Sequence, residues 1–197
     1  MKGCTARALE EVAGALQQCG IETEMFWIGA KPITGCVACH QCETLGECTF
    51  GNDRVNLFIE KADEADGFVF GTPVYYASPS GQLLSFMDRA FYAGGAHLAY
   101  KPAAAISSSR RAGGPATMDV LNKYFTINNM PVVSSQYWNE VHGFTPEQVE
   151  QDLEGMQTMR TLGRNMAWLL RCIEAGQKQG IEPPADAEEH QWTNFIK

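Results

Sequence analysis

The chain has 197 residues, of which 45% are hydrophobic and 19% are charged, a composition typical of one globular domain with a sizeable core. Its net charge of -8 at pH 7 argues against nucleic acid or an anionic membrane surface as the main partner. No apolar run approaches the roughly 18 residues that span a bilayer, and the amino end has no signal-like apolar core, so we expect a cytoplasmic protein. In that compartment most of the seven cysteines should be thiols or ligands.

Segments with helical and strand-like periodicity alternate along the chain. In chain order, the predicted elements are helix 5–19, strand 21–28, a cysteine-containing loop 29–51, helix 52–65, strand 67–72, helix 81–93, strand 102–107, helix 116–126, strand 131–134, an irregular segment 136–143, and one helix or two from Thr145 onward. The start at Thr145-Pro146-Glu147-Gln148 has a capping threonine, a first-turn proline and a glutamine suited to a capping box. Residues 176–197 are polar and are predicted to form a surface tail.

The alternation of strands and helices predicts an α/β fold. We expect residues 1–175 to form a single domain around a doubly wound parallel sheet with helices on both faces, with a cysteine-rich loop, 35–50, inserted after its first strand. Ligands of such sheets bind in the crevice beyond the carboxyl ends of the strands. The loops after residues 28, 72 and 107 are therefore expected to converge on one edge.

The loop after residue 72 is the strongest candidate for contact with a ligand. Segment 67–72 is a short apolar run that predicts a strand buried on both faces, and Pro73, which has no N–H, is expected to end it. The loop offers free backbone groups, two tyrosine rings and the positive end of the next helix dipole, which suits a planar heterocycle that becomes electron-rich. The alternative is an ordinary turn in which Tyr75 and Tyr76 cover the edge of the sheet.

Four of the seven cysteines lie within thirteen residues. Cys36, Cys39, Cys42 and Cys48 have the spacing C-x2-C-x2-C-x5-C, which resembles the compact runs that wrap a cubane iron–sulfur cluster. Zinc is a rival, although structural zinc sites more often use two separated cysteine pairs. A reduced loop that binds nothing is the third interpretation. We interpret His40 as a solvated neighbour of this run.

A second polar loop follows strand 102–107. Its hydroxyl groups, backbone N–H groups and two guanidinium groups are suited to a developing negative charge on a bound ring or to a phosphate, although a solvated turn is the alternative. His142, beside Tyr137 and Trp138, is interpreted as structural. The sequence has no Ser-His-Asp arrangement, Walker loop, HExxH motif or paired-carboxylate motif, so hydrolase and phosphoryl-transfer functions have no support.

The combined motifs resemble those of the flavodoxin-like NAD(P)H-dependent FMN reductases, and most closely the branch with the iron–sulfur flavoproteins. The resemblance is carried by Gly35-Cys36-Val37-Ala38-Cys39 with its later cysteines, the run 66–76, Gly81-Gln82-Leu83 and Phe86-Met87-Asp88-Arg89. It implies a flavodoxin-like fold, FMN at the carboxyl ends of the strands, and a homodimer or homotetramer. It also implies electron transfer from NADH or NADPH to a small acceptor such as a quinone or flavin, or electron relay to a ferredoxin-type protein.

The resemblance also assigns residues by position. On the isoalloxazine ring it places Thr72, Pro73, Val74, Tyr75, Tyr76 and Ser78. On the other side of the ring it places the loop 107–113, with Ser107, Ser108, Arg110, Arg111 and Gly113. The ligands it implies for a 4Fe-4S cluster are Cys36, Cys39, Cys42 and Cys48.

The amino end departs from the family pattern. The family begins with an apolar strand and a phosphate-binding loop, whereas here only Gly3 and Thr5 match the end of that loop. Loss of the first strand would leave two neighbouring strands with unpaired backbone groups and would remove part of the phosphate nest. We expect the intact protein to carry on the order of a dozen further residues, a strand plus a loop. Three functions compete: an FMN-dependent reductase, an iron–sulfur electron carrier, and a non-catalytic module.

Overall fold

The computed structural model describes residues 2–184, 188–189, 191–193 and 195. Its elements are α1 (Cys4–Gln18), α2 (Cys42–Leu45), α3 (Val55–Glu64), β1 (Phe68–Tyr75), β2 (Ser78–Pro79), α4 (Gly81–Leu98), β3 (Ala103–Ser109), α5 (Gly114–Ile127), β4 (Glu140–His142), α6 (Pro146–Val149) and α7 (Leu153–Gln177). The predicted helices are confirmed as α1, α3, α4 and α5, and the carboxyl-terminal segment forms the pair α6 and α7. The central predicted strands are confirmed as β1 and β3.

The sheet has the order β2-β1-β3-β4 and is parallel at its centre. Residues 68–73 of β1 pair in parallel with residues 103–108 of β3, and residues 107–109 of β3 pair in parallel with β4. The short strand β2 turns back against the end of β1 as an antiparallel hairpin. Since parallel strands end on the same side, the loops that follow β1 and β3 lie next to each other.

Two hydrophobic cores cover the two faces of this sheet. Alternate residues of β1 and β3 point to opposite faces, so Phe70 and Ala105 pack with α3, α4 and α5, whereas Ala104 and Ile106 pack with α1 and α7. The first core is rich in phenylalanine, and Phe70 packs against Phe125 with ring centroids 5.4 Å apart. Helices on both faces confirm the doubly wound arrangement.

The predicted strand 21–28 is wrong, because the segment forms no strand hydrogen bonds. Its apolar side chains still reach the core, where the ring of Phe26 packs edge-on against Phe58 at 5.6 Å. In the described part of the chain, no strand lies beside β1 over residues 68–73 on the side opposite β3. This is the position in which the resemblance places the first strand, so 21–28 has no neighbour with which to pair.

Other boundaries also differ from the prediction. The predicted strand 131–134 is reduced to a single bridge between Ala103 and Val132, and β4 forms instead inside the segment expected to be irregular. The strand β1 continues past Pro73 to Tyr75. Phe68 N donates to Pro102 O, on the side of β1 that faces β3. Successive backbone nitrogens of a strand point to opposite sides, so the nitrogen of Pro73 points to the open edge, where no N–H is required. The cysteine loop also contains the short helix α2.

Helix α4 is longer than predicted because it continues through Gly94 and Gly95 to Leu98. A Cβ at Gly94 would lie 2.7 Å from Ile59 Cγ1, so glycine permits the close contact between α4 and α3. Helix α7 ends at Gln177 and therefore includes the first residues of the predicted tail. Residues 181–184 are exposed, and parts of the remaining predicted tail lie outside the described residues. No helix in the described part of the chain is both long and apolar enough to cross a membrane.

We predict that Gly163→Ala destabilises the protein, because α1 and α7 pack too closely for a methyl group. A Cβ at Gly163 would lie 2.7 Å from both Ala15 Cβ and Val12 O, and Val12 O is backbone that cannot rotate away. Overpacking of this kind costs about 1–3 kcal/mol, even though alanine is the better helix former. The matched control is Gly176→Ala in the same helix, whose nearest neighbour is 3.7 Å away and which should be neutral or stabilising. Urea unfolding of both variants checks the difference, and equal effects would contradict it.

Candidate functional site

The hairpin between β1 and β2 has a strained turn. Val74 pairs with Pro79 and Tyr75 with Ser78, which leaves Tyr76 and Ala77 as a two-residue loop. Both residues have positive φ, 50° and 59°, the pattern of a type I′ turn that favours Asn-Gly. A left-handed conformation costs an ordinary residue about 1–2 kcal/mol, so this turn is kept at some cost to stability. The side chain of Tyr76 is fully exposed.

Thr72 holds this hairpin against the start of α4. Its hydroxyl group donates to Pro73 O and accepts from Ser80 N, each at 3.0 Å. The side chain is fully buried, so its hydroxyl positions the loop rather than facing out of it. Pro73, Val74, Tyr75 and Ser78 follow on the same loop, and of these Tyr75 and Ser78 are exposed.

The loop after β3 meets both the hairpin and the amino end of α1. Thr5 Oγ1 lies 2.6 Å from Ser108 Oγ, which joins the first turn of α1 to the end of β3. Gly113 has φ 96°, and a Cβ there would lie 2.8 Å from both Ala77 Cα and Val74 Cγ1. The structure therefore brings together three segments that the sequence predicts as one site: 3–5, 72–78 and 107–113.

The remaining predicted residues of the second loop differ in their exposure. Ser107 is fully buried, and its Oγ is enclosed without a hydrogen-bond partner in the described residues. It therefore does not line an open surface. Arg110 and Arg111 are exposed beyond the end of β3. Gly3 caps α1 with extended backbone, and no side chain among the described residues caps that helix end. The first-turn N–H groups of α1 are therefore available to an anion.

Glu140 carries a largely buried carboxylate that sequence patterns do not identify. It lies across the sheet from Ser107 and against Gly114, whose lack of a side chain makes room for the carboxylate. Burial raises the pKa of Glu140, and nearby Asp152 raises it further, against an opposing effect of His142. His142 Nδ1 lies 3.1 Å from Ser109 Oγ, and its Nε2 lies 4.0 Å from Glu140 Oε1. These contacts agree with the interpretation of His142 as structural.

We predict that Glu140→Gln stabilises the protein at pH 8 but not at pH 4. The pKa of Glu140 is higher in the folded protein than its ordinary value of 4.5. The protonated side chain therefore contributes its full stabilisation below pH 4.5, and this stabilisation is lost as the pH rises through the folded-state pKa. Glutamine removes the buried charge, with an expected gain on the order of 1 kcal/mol at pH 8. Chemical unfolding at both pH values measures the change in the free energy of unfolding. Glu10→Gln, at an exposed position of α1, is the control. A gain of equal size at pH 4 would contradict this origin.

The cysteine loop forms a second candidate site against α4. Cys36, Cys39, Cys42 and Cys48 all line one cavity, together with Arg89 and Tyr92. Ala38 and His40, which separate the first three cysteines, have φ of 51° and 56°, so the loop curls between its thiols. His40 Nδ1 lies 2.8 Å from Glu43 Oε1 and is exposed, in agreement with a solvated role. Among the described residues, no three histidine, cysteine or acidic side chains are gathered closely enough to hold a single metal ion.

Comparison with known proteins gives a consistent family assignment. The sequence model of the NADPH-dependent FMN reductase family matches residues 1–145. An iron-sulfur flavoprotein of Methanocaldococcus jannaschii is 32% identical over 181 residues, which cover 88% of this chain and 93% of that protein. An iron-sulfur flavoprotein of Archaeoglobus fulgidus is 27% identical over 188 residues, covering 86% and 92%.

Solved structures establish the fold. A flavodoxin, WrbA-like protein from Agrobacterium tumefaciens superposes with a TM-score of 0.61 at 20% identity, over 85% of this chain and 90% of that one. A flavone reductase superposes with a TM-score of 0.65 at 18% identity, over 87% and 60%. The predicted flavodoxin-like fold is therefore confirmed.

Proposed function

This chain belongs to the NADPH-dependent FMN reductase family, and we propose that it is a flavin-dependent oxidoreductase that takes electrons from NADH or NADPH. The supporting observation is the convergence of α1, the β1–β2 hairpin and the loop after β3 at the carboxyl ends of the parallel strands. Ligands of doubly wound sheets bind at this position. When bound, FMN would supply the capacity to accept two electrons and to release them singly or together.

The residues of the site fit FMN in two parts. The rings of Tyr75 and Tyr76 are exposed and would pack on the isoalloxazine. The uncapped amino end of α1, with the neighbouring hydroxyl groups of Thr5 and Ser108, would bind the phosphate. Gly113 allows the two loops to approach each other, so that they would hold the ring from two sides.

We predict that Tyr76→Asn combined with Ala77→Gly raises stability and weakens FMN binding. Asn-Gly suits a type I′ turn, so relief of the left-handed strain should add about 1–2 kcal/mol to the free energy of unfolding. Loss of one aromatic contact should weaken FMN binding roughly two- to tenfold. Thermal unfolding and fluorescence titration with FMN measure both effects. Ala77→Gly alone is the matched control, because it keeps the Tyr76 ring and should bind FMN as the wild type does. Unchanged affinity in the double variant would contradict the ring contact.

The cysteine loop supports a more specific function, electron relay through a 4Fe-4S cluster held by Cys36, Cys39, Cys42 and Cys48. In the cubane each thiolate binds a different iron, so the four thiolates lie farther apart than around one zinc ion. Thiols that share a cavity without closing on one point fit that requirement better than they fit zinc. The curled backbone at Ala38 and His40 presents the first three thiols to the same cavity. A ferredoxin-type protein would be the matching partner.

Anaerobic reconstitution with iron, sulfide and FMN tests the two functions together. We expect about four iron and four sulfide per chain, loss of most of that iron in Cys39→Ser, and retention in Cys172→Ser, which changes an exposed thiol on α7. Oxidation of NADH or NADPH by the FMN-bound protein, followed at 340 nm with a quinone as acceptor, then separates the functions. Turnover above that of free FMN supports the reductase. Iron without turnover favours the carrier, and failure to bind both FMN and iron favours a non-catalytic module.

A further inference from the structure

Arg89 of α4 is the largest fully buried side chain in the described part of the chain, with 1% of its surface exposed. Its guanidinium group faces the cysteine loop rather than solvent. Nη1 donates to Thr34 O at 3.2 Å, Nη2 donates to Phe50 O at 2.5 Å, and both nitrogens contact the carboxylate of Asp53. A buried cation is costly unless it is paired and fully hydrogen-bonded, and these contacts meet that requirement.

The remaining donor of Arg89 points at a cysteine. Nε donates to Cys48 Sγ at 3.1 Å, and Arg89 lines the same cavity as the other three thiols. Among the described residues, Cys48 is the member of this set that a charged side chain contacts. Cys36 Sγ accepts from the backbone N–H of Ala38, at 3.4 Å, and Cys42 Sγ donates to Tyr92 O at 3.8 Å.

The guanidinium group remains charged in this position. An arginine guanidinium group stays protonated in proteins, and here it is paired with the carboxylate of Asp53. One carboxylate already balances the charge, and two carbonyl groups satisfy further donors. The Nε–Sγ contact is therefore an additional interaction, directed at the cavity and not needed to neutralise the arginine.

We propose that Arg89 is a positioning residue that fixes Cys48 as a ligand and raises the reduction potential of the group held by the cysteine loop. This inference rests on the iron–sulfur cluster of the proposed function. A ligand sulfur gains negative charge when a cluster is reduced, and an N–H donor together with a fixed positive charge stabilises that state. Both effects make reduction easier, so the potential becomes more positive with Arg89 than without it.

The test compares three variants after anaerobic reconstitution with iron and sulfide. Arg89→Lys keeps a positive charge but loses the Nε donor and the planar guanidinium group that contacts Asp53 through two nitrogens. The double variant Arg89→Gln with Asp53→Asn removes both charges together, so that no unpaired charge is left in the core. Asp53→Asn is the matched control, because it weakens the ion pair and leaves the Nε–Sγ contact in place. The readouts are iron content, resistance of the iron to a chelator, and the midpoint of reduction by titration monitored with electron paramagnetic resonance.

We expect the double variant to shift the midpoint downward, so that at the wild-type midpoint the ratio of reduced to oxidised cluster falls by about tenfold, equivalent to about 59 mV for one electron. Arg89→Lys should shift it in the same direction by less. Asp53→Asn, which removes a negative charge and keeps the Nε–Sγ contact, should leave the midpoint in place or raise it. Loss of iron from a folded Arg89 variant, with iron retained in Asp53→Asn, would also support the positioning role. Full iron content with an unmoved midpoint in both Arg89 variants would overturn the role of Arg89 alone. A wild-type protein that takes up no iron would overturn the cluster itself, and this role with it.

Discussion

The parallel pairing of β1 with β3 is the interaction on which the rest of the molecule depends. Six consecutive residue pairs, from Phe68 with Ala103 to Pro73 with Ser108, fix the register of the two strands. A slip of one residue would exchange the faces and place Phe70 on the α1 side, where small residues and α7 leave no room for the phenylalanine cluster. The same register ends both strands side by side. The candidate flavin site is therefore a consequence of the packing of two cores.

The open edge of β1 over residues 68–73 leaves segment 21–28 without a strand partner in the described part of the chain. Segment 21–28 remains without strand hydrogen bonds although Phe26 is anchored in the core. Helix α1 packs closely on one face of β1 at this point, since a Cβ at Gly71 would lie 2.9 Å from Leu9 Cδ1 and 3.0 Å from Thr5 Cγ2. The phosphate end of the site is built from α1 and Thr5, whereas the ring end is built from the hairpin in which β2 pairs with the last residues of β1.

Much of the fold could be predicted from the sequence, because periodicity and turn residues are local signals. The run 67–72 and the start at Thr145 are examples: Thr145 accepts from Gln148 N, as its pattern predicts. Interactions between distant segments were not predictable in the same way. Arg89 is the clearest case, since its burial depends on Thr34, Cys48, Phe50 and Asp53.

The failed predictions have physical causes of the same kind. Strand 21–28 has suitable side chains, but a strand also requires a neighbour. A pair such as Gly94-Gly95 is typical of a helix end. Here α4 continues through both residues, and Gly94 allows close contact with Ile59 of α3. A sequence signal for Arg89 did exist. It lies three residues after Phe86 on the apolar side of α4, and a charge at such a position indicates a buried partner.

Helix α4 links the two candidate sites. It begins at Gly81, directly after the hairpin with Tyr75 and Tyr76, and reaches Arg89 eight residues later, a rise of about 12 Å along its axis. Two further contacts hold the start of the cysteine loop to the same helix: Gln82 Nε2 donates to Gly29 O at 2.7 Å, and Gly35 lies beside Ser85. Close contact between α4 and α3 at Gly94 prevents α4 from shifting independently of the core. The distance between a ring bound at the hairpin and a group bound at the cysteines would thus be set by one packed helix. A fixed distance of that kind is what electron exchange between the two sites would require.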